Sequence, residues 1–446
     1  MKKNKKHPTK CLIAISVLMV AIVIAVAGCG SSSKSSSTPS SSSSSSSAAA
    51  SSSSGTTTSA AASGSSSTKG APLVIGSICS CSGPLSSTTA TDPDTLNAWA
   101  MWTNAHGGIN GHPVKVINLD DALTASTSIK DAKQLVEQDH VLAIVGETSN
   151  LDILWASYVQ SKGVPVIGAA LFESPYETNP DFYPTGPQNA TSVYGDVAQA
   201  KALGGHKLAL MYCAESPSCA TYVPQYKAIG KLLGISVVSV QKISATAPSY
   251  TANCLAAKAA GADVLAILQA GTVVQRVADE CGEQGYRPTE VNLSFTPAVA
   301  WQTDPNLQGL VTITPNQSLW ASSSATQAYN QALAKYAPTV KQSATYNPSN
   351  ASVWAAAEVF KLAAQRAMLT PSSTPADVIK GLDTFKNETL GGLTAPLTYT
   401  KGATKPGLVT CYFVSTIKNQ KWIAPLGAKA ACVPKSQVAQ IEALNG

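Results

Sequence analysis

Histidine is nearly missing from this chain: His7, His106, His112, His140 and His206 are all there are among 446 residues. None falls in an HExxH pair, and no two cysteines have the CxxC spacing that a structural zinc site uses beside histidine. His112 reads as a turn residue before a strand and His140 as the residue leading into another. The sequence also lacks a G-x-S-x-G elbow, a GxGxxG fingerprint and a Walker A loop. Nothing in it pairs a serine with a histidine and an acid. No enzyme class, catalytic residue, metal or cofactor is therefore expected. Charged residues make up 13% of the chain, against about 25% in ordinary globular domains. Seven of the 31 basic residues lie in residues 1–70, which hold no acid. That leaves 24 basic against 25 acidic residues beyond position 70. The net charge of +6 thus belongs to the N-terminal segment. The remainder carries no basic stripe of the kind nucleic-acid binding requires.

What the N-terminus does have is an address. Lys2, Lys3, Lys5, Lys6 and Lys10 precede an apolar run from Cys11 to Gly28, a charged region followed by a hydrophobic one. The run closes Val26-Ala27-Gly28-Cys29. Small residues before a cysteine resemble a bacterial lipobox, so 1–28 is expected to be a signal peptide and Cys29 the lipidated first residue of the mature protein. The rival reading is an uncleaved membrane anchor, since the run is just long enough to span. Either way the rest lies outside the membrane. Residues 30–70 are serine, threonine, alanine and little else. Such a segment has too little apolar surface to order itself. As a flexible tether it would reach roughly 35 Å, a length and composition common in surface lipoproteins of Gram-positive bacteria.

Ten cysteines are few enough to sort. Cys11 leaves with the signal segment and Cys29 is the lipid site. The other eight are an even number in an exported chain, which favours disulfides over a metal site. Connectivity is open from sequence alone. Local order suggests Cys213–Cys219, Cys254–Cys281 and Cys411–Cys432, leaving Cys79 with Cys81.

From Ala71 the composition turns globular, with length enough for two domains. Leu73–Ile78 reads as a strand ending in Cys-Ser-Cys-Ser-Gly-Pro. A helix with Leu96, Trp99, Ala100 and Trp102 follows, then a turn at Asn110-Gly111 and a strand Val114–Leu119. Asp120-Asp121 close that strand and are placed to cap the helix carrying Ile129, Ala132, Leu135 and Val136. Val141–Val145 and Gly163–Ala170 are the third and fourth strands. Strands and helices alternating at this spacing mean a parallel sheet wrapped by helices. After the proline-rich passage Phe182–Gln188 the pattern restarts, with strands around Lys207–Tyr212, Ile235–Gln241, Ala262–Leu268 and Val291–Phe295. Val353, Ala357, Phe360 and Ala364 mark the core stripe of a later helix. The tail alternates like an antiparallel ribbon.

The stretch Val141–Asn150 is the most informative. A buried apolar strand runs into Gly146-Glu147-Thr148-Ser149-Asn150, and helical spacing resumes at Leu151, Leu154, Trp155, Tyr158 and Val159. A helix start at the carboxyl end of a parallel strand offers free amides to a polar ligand. The plainer alternative is that Ser149 or Asn150 only caps the helix.

With IGSI…SGPL at the first strand, NAHGGINGHPVKV…DD after the first helix, IVGETS at the third strand, GVPVIGA at the fourth and ECGEQGYRP at 280–288, residues 72–434 resemble the type I periplasmic-binding-protein fold. The resemblance is to the branched-chain-amino-acid-binding branch, the substrate-binding lipoproteins of ABC importers. It implies an α/β architecture of two lobes, each a parallel sheet flanked by helices, with three interlobe crossovers near Gln188, Thr314 and Gly392. Lobe 1 would be 71–189 and 315–391, and lobe 2 would be 190–314 and 392–446. The implied partners are a small-molecule ligand, permease subunits and, through the N-terminal lipid, the outer face of the cell membrane. It also implies that Thr148, Ser149 and Asn150 grip a ligand carboxylate. Ala169, Ala170 and Leu171 would contribute from the fourth-strand loop, though without the family's hydroxyl. From lobe 2, Tyr222 would face Ser149 across the cleft, and Gln269 and Thr272 would lie in the loop where amino-acid binders place an acid for the ammonium. Glu147, Glu173 and Glu215 are the acids available to replace it. A ligand sensor or surface-interaction protein of the same fold is the second reading.

Overall fold

The computed structural model describes residues 70–84, 86–169, 171–293, 297–321 and 323–445. The signal segment, Cys29 and the serine-rich tether lie outside them, as does Ala170.

The strands form two sheets. The first holds β1 (Leu73–Cys79), β2 (Val114–Asp120), β3 (Ile144–Glu147), β4 (Val166–Gly168) and β5 (Phe182–Pro184). They lie in the order β2-β1-β3-β4-β5, all parallel. β5 comes from the passage read as a proline-rich break. Its three residues are fully buried, and Pro184 ends it where the ladder no longer needs a donor. β3 begins later than the apolar run suggests and carries Gly146 and Glu147 inside the strand. Gly146 has φ +67°, and a Cβ there would meet Val353 Cγ1 at 3.0 Å. The glycine lets the strand turn against the long helix behind it.

The second sheet holds β6 (Lys207–Cys213), β7 (Ser236–Ile243), β8 (Val264–Leu268), β9 (Thr289–Leu293), β10 (Val311–Thr314), β11 (Cys411–Lys418), β12 (Lys421–Ile423) and β13 (Ala431–Cys432). β6 to β10 pair in parallel. β11 joins β10 antiparallel, and β12 and β13 pair antiparallel to β11. This sheet is therefore mixed, not purely parallel, because the C-terminal ribbon completes it.

Helices Asp92–Ala105 and Pro348–Arg366 pack on each other, and the second also packs on β3 and β4. Pro348–Arg366 is buried on almost every side. Its alanines allow close approach, while Trp354 and Phe360 fill the space between. Asn347 and Asn350 form its capping box, and Asn350 also donates to Asp92 and Thr95 of the facing helix.

Three chain segments join the lobes side by side. Residues 185–188 lead from β5 to the helix Asn189–Ala202, which packs under the second sheet. Asn316 donates to the Thr185 carbonyl at 3.0 Å and Gln317 N to the Leu393 carbonyl at 2.8 Å. Gln188 bonds both Gly407 O and Val409 N. Leu393, Ala395, Leu397 and Tyr399 still pack in the first lobe's core. The third crossing thus lies beyond Tyr399, later than the glycines at 391–392 suggest.

Four disulfides close loops: Cys79–Cys81, Cys213–Cys219, Cys254–Cys281 and Cys411–Cys432. No helix among the described residues is long and apolar enough to cross a membrane.

Candidate functional site

The loop after β4 meets the loop after β6, and the segment after β1 meets the loop after β8, so the lobes touch there. The turn after β3 is built from its own side chains. Ser149 N donates to Glu147 Oε1 at 2.7 Å. Asn150 N donates to Ser80 Oγ at 3.1 Å, and Leu151 N to Ser149 Oγ at 3.1 Å. The Ser149 hydroxyl in turn donates to Asp121, which also accepts from Ser80 Oγ at 2.8 Å. Ser128 and the indole of Trp155 extend the network behind it.

The turn is closed on itself in this structure. Ser149 is fully buried, and its hydroxyl is committed to Asp121 and the Leu151 amide within the turn. No regular helix begins here either. Asp152–Leu154 is a single 3-10 turn and the α-helix is confined to Ala156–Ser161. The amides at 149–151 are satisfied by side chains on the spot, so they do not converge on a ligand oxygen. The Thr148 hydroxyl is buried and turned to the Asp92 carboxyl.

Glu147 is itself enclosed, with Tyr176 Oη donating to its second oxygen at 3.0 Å. The tyrosine reaches it by lying across Gly168, where a Cβ would overlap the phenol ring. Burial pushes the Glu147 carboxyl well above its usual range, against the pull of those two donors. Asp152 is 0% exposed, with the neighbouring Ile153 amide as a backbone donor and no side-chain donor. Burial first, then the charges of Glu147 and Glu173, push its carboxyl well up.

Glu173 is the link to the second lobe. It leaves the loop after β4 and accepts from Ser216 Oγ at 3.1 and 3.3 Å. Ser174 N donates to Ser218 Oγ at 3.4 Å. The loop carrying Ser216 and Ser218 is pinned by the Cys213–Cys219 disulfide. Burial raises Glu173 to about 8, with the Ser218 and Ser216 hydroxyls opposing.

Of the other expected contacts, Ala169 is buried and its amide donates to Glu147 O at 3.2 Å. Leu171 packs with Trp155, Tyr176 and Phe182. Tyr222 does not meet Ser149. It is packed in the second lobe's core and donates to Asn189 Oδ1 at 2.7 Å. Asn189 then donates to the Phe172 carbonyl at 3.0 Å, which carries the contact from Tyr222 on to the first lobe. Gln269 is spent within its own lobe, on Glu215 at 2.7 Å and on Ile243 O. Glu215 also accepts from Ser244, Ala245 N and Ala214 N, which fixes it as a loop anchor. Thr272 does face the other lobe, 3.3 Å from Ser87 Oγ. Asp121, Asp152, Tyr176 and Ser216 were not picked out as contacts by the sequence. Asp121 was legible only as a cap, and the others lie in or beside short helical turns without a motif.

Comparison with known proteins places this geometry. A valine-bound branched-chain amino acid ABC transporter protein from Thermus thermophilus superposes with a TM-score of 0.71 at 14% identity, covering 83% of this chain and 99% of that one. A leucine-binding protein from Thermotoga maritima gives 0.66 at 14%, covering 82% and 100%. A benzoate-bound solute-binding protein from R. palustris gives 0.67 at 13%, covering 82% and 98%. In sequence, an amino acid binding protein of Pseudomonas aeruginosa is 36% identical over 78 residues, 17% of this chain and only 19% of that protein. The profile described as Periplasmic binding protein matches residues 72–421. The match takes in the first sheet, the second sheet through β11 and all three crossings, and the chain belongs to the periplasmic-binding-protein family, whose members bind solutes and are not enzymes.

Proposed function

We propose that this chain is the substrate-binding lipoprotein of an ABC importer, held outside the cell membrane by a lipid on Cys29 and capturing a small polar molecule between its lobes. The observation that carries the reading is the interlobe contact. Ser216 of one lobe meets Glu173 of the other, while Thr272 and Ser87 meet at a second point. Three adjacent crossing segments are the only covalent links between the lobes among the described residues, the arrangement of a hinge. A molecule touching both lobes shifts the population towards the closed form. Residues 1–28 then serve as the signal peptide and 29–70 as the tether, with permease subunits as the partners on the membrane.

The test is co-purification. Crosslinked membranes from the source cell should yield this chain together with two permeases and two ATPases. Its recovery without any transporter subunit, under conditions that retain other binding proteins on theirs, would favour a sensor of the same fold.

A further inference from the structure

A hollow of about 120 Å³ opens on the first lobe, beside the hinge. Asp181 and Tyr183 line one wall, Ile379 and Asp383 a second, and Tyr399 with residues 400–407 of the third crossing the last. Asp181 precedes β5 and so lies at the amino end of the sheet, away from the loop after β4 that meets the second lobe. Two crossings run side by side here. Tyr399 Oη donates to Pro184 O at 2.8 Å, and Gln188 Nε2 to Gly407 O at 2.7 Å. The space takes a molecule of a few heavy atoms, since one water needs roughly 10–15 Å³.

The polar groups of this hollow are unmatched. Tyr183 is 7% exposed, and its ring packs edge-on against Tyr399 at 5.1 Å. Its hydroxyl has no hydrogen-bond partner among the described residues. Burial first, then the charges of Asp181 and Asp383, push that hydroxyl up, so both acids lie near it. The Asp181 carboxylate has no hydrogen bond or ion pair among the described residues. Asp383 has Lys401 and Lys386 beside it, and the charge of Lys405, on the third wall, acts on Glu177. Asp181 is thus the acid without a counter-charge, in a half-buried place where that is costly. An ammonium group answers each of these features. It brings N–H donors for the carboxylate and the phenol oxygen, and a charge that aromatic rings attract. Among the described residues no three acid, histidine or cysteine side chains are grouped to hold a metal ion.

We propose that this hollow is a second binding site, separate from the interlobe cleft, for a small primary amine whose ammonium is taken by Asp181 and the Tyr183 hydroxyl. So few atoms confine the affinity to about the millimolar range. Because one wall is the third crossing, an occupant bears on the hinge.

Hydrogen-exchange mass spectrometry of the mature chain, with and without methylammonium or ethanolamine at millimolar concentration, tests this. Tetramethylammonium, potassium, calcium and acetate serve as contrasts at matched ionic strength. Methylammonium or ethanolamine should slow exchange in the peptides covering 180–184 and 399–407. Asp181→Asn, checked as folded by circular dichroism, should weaken the binding about tenfold or more, and Tyr183→Phe about three- to tenfold. If a variant does not fold, the wild-type contrasts still decide. No response to either amine, an equal response to tetramethylammonium or potassium, or an Asp181→Asn chain that responds like the parent would overturn the proposal. So would calcium or acetate protecting the same peptides better than the amines, or protection confined to the turn at 147–151. None of these outcomes bears on the reading of the cleft as a transporter's binding site, which co-purification tests.

Discussion

Ser149 is a structural residue by its bonds, and its removal should be felt in stability. Ser149→Ala takes a donor from buried Asp121 and an acceptor from the Leu151 amide. Chemical denaturation should show a loss of about 1–3 kcal/mol. Glu173 should register in the pH dependence of stability. Its carboxyl rises from 4.5 to about 8 on folding, so the folded lobe holds a proton that the unfolded chain gives up. The stability this contributes is complete below about pH 4.5 and is lost as pH climbs through about 8. Glu173→Gln keeps an acceptor for Ser216 but cannot ionise. Its melting temperature should fall less between pH 5 and 8.5 than that of the parent, as calorimetric scans in matched buffers would show. At this scale the sequence was only half legible. Ser149, Thr272 and Glu173 could be flagged from strand-end position. That Asp121 lies within reach of the Ser149 hydroxyl is a contact across 28 positions, which no local pattern encodes. Tyr222 was misplaced for a similar reason: its partner Asn189 stands 33 positions away.

Elements were far more legible, because strand burial and helix periodicity are local signals. Every core strand from β1 to β9 except β5 was marked by an apolar run or an apolar–polar alternation, while β10 was not read as a strand. β5 was hidden by its prolines, and the helix after Ser149 was overestimated because Leu151, Leu154 and Trp155 keep helical spacing through a 3-10 turn. Cys254–Cys281 ties the helices Thr251–Ala259 and Gly271–Glu283 together, its partners 27 positions apart. Replacing both cysteines by alanine should cost about 3.5 kcal/mol in the chain-entropy picture. The Cys79–Cys81 pair closes too short a loop for comparable stabilisation, so its removal should cost clearly less in the same denaturant titration. On the helix Pro348–Arg366, Phe360 is fully buried. Phe360→Ala should cost about 3–5 kcal/mol through the cavity it leaves.

For the whole molecule, the two-lobed plan was readable because short family motifs stand in the right order along residues 72–434, and the match over 72–421 agrees. The chemistry between the lobes was not readable, since it arises where loops far apart in sequence meet. The proposed anchor lies outside the described residues and has its own check. Cys29→Ser should leave the protein unprocessed or release it from membranes in a fractionation of the expressing cell. The central claim is that this fold holds one small molecule between its lobes. Native mass spectrometry of the mature chain, purified without added ligand and then incubated with an extract of the source cell, tests it most directly. The account predicts a single adduct of small-molecule mass per chain, lost when the protein is unfolded. A bare chain mass under both conditions would contradict it.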